Sequence, residues 1–126
     1  TYGIIAVYGD IGGMGGAPID PTVATASVSL GGTTLSSLGY SINATHDWIW
    51  VFGGSGIQGG AGKTASVTLT QSGKAFYGSC ASFTYTSVSS VGSLLTNTGS
   101  SAAPTVSVTP TVTSSSIIWA SYAHYG

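Results

Sequence analysis

Ala24-Thr25-Ala26-Ser27-Val28-Ser29-Leu30 decides the fold class. Its even positions are apolar and its odd positions carry hydroxyls, the period a strand needs when one face is buried and the other wet. Gly31-Gly32 follows at once as a turn. Thr64-Ala65-Ser66-Val67-Thr68-Leu69-Thr70 repeats the alternation with Ala65, Val67 and Leu69 as the apolar set. Thr105 to Val112 repeats it again through Val106, Val108 and Val112. No stretch has the three-to-four spacing of an amphipathic helix, and β-branched residues and glycine replace the usual helix formers.

Three further segments are apolar on both sides of the period. They are Tyr2-Gly3-Ile4-Ile5-Ala6-Val7-Tyr8, Trp48-Ile49-Trp50-Val51-Phe52 and Ile117-Ile118-Trp119-Ala120. Such runs belong to central strands, or to strands whose second face meets another subunit. The first and last of them are expected side by side in one sheet. Glycine-rich turns separate the strands at residues 12–16, 31–32, 53–62 and 97–99. Gln71-Ser72-Gly73-Lys74 predicts a hairpin between two strong strands. The count is eight or nine short strands without a helix. The expectation is therefore a single all-β domain over residues 1–126, an antiparallel β-sandwich of jelly-roll-like or immunoglobulin-like type. Ser87 to Pro104 reads as linker-like, but it is too short to divide domains.

The chain is almost without charge. Its 126 residues include only Asp10, Asp20, Asp47, Lys63 and Lys74 as ionic side chains, for a net charge of -1. An ordinary domain uses about a quarter of its residues as charges. A surface of hydroxyls and apolar groups suits a chain built into an assembly with copies of itself and other proteins. Two lysines cannot line a groove for phosphates, which excludes nucleic acid as a partner. The apolar runs are too short to insert across a bilayer. The lone Cys80 has no internal disulfide partner and reads as a small buried residue. Opening on Thr1 instead of Met is what a processed product, or one domain of a longer polypeptide, would show.

The motifs that invite chemistry each meet an objection. Gly62-Lys63-Thr64 resembles the end of a phosphate-binding loop, but Ile57 stands where the motif needs glycine, and a strand follows where it needs a helix. His46-Asp47 has no partner cluster, the other histidine being His124, so neither a metal site nor a catalytic base is expected. Asp10 and Asp20 flank a glycine loop without the ligand spacing of a calcium site, and read as turn residues. No nucleophile elbow and no pair of carboxylates across a cleft is present. No enzyme, metal or cofactor is therefore expected. Asn43-Ala44-Thr45 matches a glycosylation sequon, which matters only in a eukaryotic or archaeal surface protein. The aromatics Trp48, Trp50, Phe52, Trp119, Tyr122 and Tyr125 are the candidate contact residues. They would serve as core, as subunit interface, or as a stacking platform for glycan.

The stretch Val28-Ser29-Leu30-Gly31-Gly32-Thr33-Thr34-Leu35-Ser36-Ser37-Leu38-Gly39 resembles a β-sandwich module of minor tail and other virion proteins of phages infecting mycobacteria and related actinobacteria. The resemblance continues through Trp48-Ile49-Trp50-Val51-Phe52-Gly53, a glycine loop and the strand Ala65 to Thr70. It also takes in Tyr77-Gly78-Ser79, the run Phe83-Thr84-Tyr85-Thr86-Ser87-Val88, and Val91-Gly92-Ser93, in all about the middle two-thirds of the chain. It implies a non-enzymatic virion part on tail or capsid, repeated by symmetry, and carries over no catalytic residue. The expected role is a minor tail or tail-appendage module, with attachment to host envelope glycan through many weak contacts as its task. A capsid decoration protein, and a cell-surface adhesin or pilin-like fibre subunit completed by a strand such as Tyr2 to Tyr8, stand as alternatives.

Overall fold

A computed structural model describes residues 1–10, 19–43, 47–98, 107, 109, 110, 113, 116 and 117. The described residues form seven strands and no helix: β1 (Tyr2–Asp10), β2 (Thr25–Leu30), β3 (Thr33–Thr34), β4 (Ser36–Ile42), β5 (Asp47–Ser55), β6 (Ala65–Thr70) and β7 (Gly78–Tyr85). They make two antiparallel sheets, one ordered β4-β5-β1-β7 and the other β3-β2-β6, as a small β-sandwich requires. The expected eight or nine strands compare with these seven. The strands read from Thr105 to Val112 and from Ile117 to Ala120 lie largely outside the described residues, so the pairing of first with last strand does too.

The two alternating segments are β2 and β6, and they pair with each other from Thr25↔Thr70 to Leu30↔Ala65. Val28 and Leu30 point into the core while Thr25 and Ser27 face out. Gly31 and Gly32 both have positive φ, +59° and +84°, which the two-residue turn between β2 and β3 demands of its central positions. Leu35 then carries the chain from one sheet to the other. Its N–H donates to Val28 O at 2.9 Å and its side chain enters the core.

Gln71 to Lys74 does turn, with Lys74 N–H donating to Gln71 O at 3.1 Å. It is not a hairpin, however: β6 and β7 lie in different sheets, and the turn starts a crossing between them. The Gly53–Gly62 loop begins later than its glycines imply, because β5 runs on through Gly53 and Gly54 to Ser55. These two glycines are in the strand for close packing. A Cβ on Gly53 would meet the Tyr2 hydroxyl at 2.5 Å, and one on Gly54 would meet Leu35 at 3.0 Å.

β1 is central and pairs on both sides, from Tyr2↔Ser55 to Asp10↔Asp47 with β5 and from Tyr2↔Tyr85 to Gly9↔Gly78 with β7. Its two faces explain its continuous apolar run. Ile5 and Val7 face the sandwich core beside Phe52 and Trp50, while Ile4 and Ala6 face the other way beside Gly53 and Val51. Ile4, Ala6 and Val51 are nevertheless buried. The segment after β7 contributes to that cover: Leu94 packs on Gly39 of β4, where a Cβ would come to 3.0 Å from Leu94 Cδ2. Gly39 pairs with Val51, so this contact lies on the outer face of the four-stranded sheet. Between Tyr85 on one edge strand and Leu94 above the other, the chain therefore straps that face. Within the described part of the linker-like stretch, Leu94 is the residue that packs on the sheet, and its neighbours are exposed.

Candidate interaction surface

The tryptophans of β5 are structural. Trp48, Trp50 and Phe52 are 1%, 7% and 2% exposed and belong to the cluster of Ile5, Val7, Ile19, Val28, Leu30, Leu35 and Ile57. Alternation sends all three to the inner face, where the second sheet covers them. Each indole N–H has a partner: Trp48 Nε1 donates to Ile19 O at 3.1 Å, and Trp50 Nε1 donates to Ser37 Oγ at 2.8 Å. The Trp50 and Phe52 rings lie 5.0 Å apart. These three residues offer no platform to a sugar. Trp119, Tyr122 and Tyr125 lie outside the described residues.

Other aromatics take the exposed positions. Tyr40, Phe76 and Phe83 are all more than a third exposed. Tyr40 lies edge-on to Trp50 with ring centroids 6.3 Å apart, and Phe76 is tilted on Trp48 at 6.2 Å. Each thus lays an outward ring on a buried tryptophan. Phe83 pairs with Ile4 across β1 and so faces the strapped side. The strap itself exposes Val88, Val91 and Leu95 at 39%, 46% and 46%. Together with Phe83 they are among the exposed large apolar side chains of the described residues, in a chain with only five ionic side chains. Sequence reading passed over them because a Ser-rich stretch without periodicity resembles a linker. The apolar residues spaced at 88, 91, 94 and 95 were the available signal.

The polar candidates resolve into turns. Asp20 Oδ1 accepts from Thr22 N–H at 2.8 Å and from Thr22 Oγ1 at 2.7 Å, an Asx turn, while Gln71 Oε1 accepts from Asp20 N–H. Asp10 ends β1 and pairs across it with Asp47 of β5, and Asp20 lies at the far end of the β1–β2 connection. Asp47 is buried against Asn43, whose Nδ2 donates to Asp47 Oδ2 at 3.0 Å while its Oδ1 accepts from Asp47 N–H. That clamp holds both ends of the Asn43 amide, so the sequon's asparagine is committed to closing the β4–β5 turn. His46 and His124 lie outside the described residues. Among the described residues no three His, Cys, Asp or Glu side chains gather as metal ligands. Gly62, at φ +74°, and the exposed Lys63 lead directly into β6, a loop between strands. Cys80 is exposed, contrary to its expected burial. It stands opposite Val7 on the inner face of edge strand β7, where the smaller sheet leaves that face open.

No helix among the described residues is long and apolar enough to cross a membrane. No protein-family model, no curated protein and no solved structure matches the chain.

Proposed function

We propose that this chain is a non-enzymatic structural module of a bacteriophage virion, a minor tail or tail-appendage domain held in place by its strapped face. The observation that carries the reading is the exposed row Val88, Val91 and Leu95 on a domain with five ionic side chains. Apolar surface with so little charge around it favours a permanent neighbour over free solution. The resemblance of the segments from Val28 to Ser93 to virion β-sandwich modules supplies the particle. Burial of Trp48, Trp50 and Phe52 is consistent with scaffolding, because it removes the chain's densest aromatic run from ligand contact. β1 is paired on both sides within its own chain, which favours this reading over a fibre in which Tyr2 to Tyr8 completes a neighbour's sheet.

Antibody against the domain should decorate the tails of purified particles of the phage that encodes it. Label on the capsid would replace the tail assignment by decoration, and label confined to the surface of uninfected cells would replace both by an adhesin. Host attachment is the task proposed for the appendage, through repeated weak aromatic and hydroxyl contacts with envelope glycan. Replacing Trp119 and Tyr125 together by Ala is expected to lower adsorption of the purified, multivalent chain to host envelopes severalfold. Unchanged adsorption would leave scaffolding alone.

A further inference from the structure

Ser87 stands at the bend where β7 gives way to the strap. Its φ is +58°, and it is the one non-glycine residue with positive φ among the described residues. An L side chain is crowded in that conformation by the neighbouring carbonyl. The bend matters because β7 and β4 are opposite edges of their sheet, and the chain must cross from one to bring Leu94 onto Gly39 of the other. The run from Ser87 to Leu94 spans about 23 Å when extended, against about 14 Å across four strands. It has chain to spare.

The strap's grip is local. From Thr86 to Thr98 every residue is exposed except Leu94, which is half-buried. Leu94 Cδ2 lies 3.0 Å from where a Cβ on Gly39 would stand, and Gly39 itself has a φ of +135° that suits glycine. Val51 and Ala6, next across the sheet from Gly39, are buried. Gly39 is thus a seat for one leucyl side chain.

A seat that takes Leu94 from its own chain takes the same side chain from an identical chain equally well. In an exchanged pair the strap contacts are kept, and the difference lies at the bend. There Ser87 can leave the crowded conformation and let the chain run on from β7. A short hinge under strain is the condition that favours such exchange. Relief at the bend alone does not offset the freedom two molecules lose on joining. Val88, Val91 and Leu95, exposed on the same segment, supply apolar surface for that step. We infer that two copies dock by their strapped faces and exchange straps, Leu94 of each seating on Gly39 of the other. The inference rests on the docking role given to that face, and it names the partner as a second copy of the chain.

The test mixes isotope-labelled and unlabelled chain in equal amounts, refolds them together, and records isotope-filtered NOE spectra at a concentration where the chain associates. Contacts between the Leu94 methyls of one molecule and the Gly39 α-protons of another are expected. Their intermolecular share should fall about fivefold in Ser87→Gly, because glycine holds a positive φ without crowding. It should rise in Ser87→Val, whose branched side chain disfavours that conformation further. If Ser87→Val does not fold, Ser87→Gly decides alone. A Leu94–Gly39 contact found only within molecules, or an intermolecular share unmoved by Ser87→Gly, would overturn the exchange. Sedimentation of the same samples separates the two conclusions: association without exchange leaves docking in place, whereas a chain that never associates removes both.

Discussion

Trp48→Ala is expected to lower stability by about 4–5 kcal/mol, most of the reserve of a small domain. Trp48 is the largest fully buried side chain among the described residues, and it packs with Ile19 and Phe76. Truncation opens a cavity that the strands cannot collapse into, and it leaves Ile19 O without its indole donor. The melting temperature should fall by roughly 15 °C. Trp48→Phe keeps most of the volume and loses mainly the hydrogen bond, so about 1–2 kcal/mol is expected. Equilibrium denaturation of the two variants separates packing from hydrogen bonding. If Trp48 were a ligand platform, both substitutions would leave stability within about 0.5 kcal/mol.

Gly9→Ala should be nearly as damaging, at about 3 kcal/mol, although it adds a single methyl group. Gly9 is the cross-strand partner of Trp48, and the indole lies directly on it, where a Cβ would overlap the ring. The ring cannot give way, because its N–H is held by Ile19 O and Phe76 backs it. The two sites share one volume, which makes a double-mutant cycle decisive. G9A/W48A should be less destabilised than the sum of the single variants by about 1–2 kcal/mol, since the new methyl enters the space vacated by the indole. Strict additivity would mean that the ring does not sit on Gly9.

The role of Gly9 shows where reading the chain alone stops. Within β1 it looks like a strand-weakening residue, and only the register with β5 reveals the indole above it. Alternation in Ala24–Leu30 and Thr64–Thr70 located β2 and β6 and their inner faces, because a half-buried strand imposes that pattern locally. The run Trp48–Phe52 was legible as a strand buried on both faces. The Gly31-Gly32 turn was legible too, since its positive φ angles need glycine. Gln71–Lys74 misleads because a turn has the same chemistry whether the chain returns to its sheet or crosses to the other. Cys80 was expected inside and is exposed because burial at an edge depends on the width of the opposite sheet, a property no local pattern records. The surface was least legible. Tyr40, Phe76 and Phe83 became the described exposed aromatics only once pairing had fixed which faces are covered.

Docking through the strapped face is the claim on which the functional reading rests. Sedimentation velocity of the isolated chain from micromolar to millimolar concentration tests it most directly, with Val91→Asp/Leu95→Asp as the paired variant. Both residues are nearly half exposed, so the substitutions should alter stability by no more than about 0.5 kcal/mol. The account predicts that the parent chain sediments progressively faster as concentration rises, while the variant remains at the monomer value throughout. A parent chain that stays monomeric over the whole range, or a variant that associates as strongly as the parent, would contradict it.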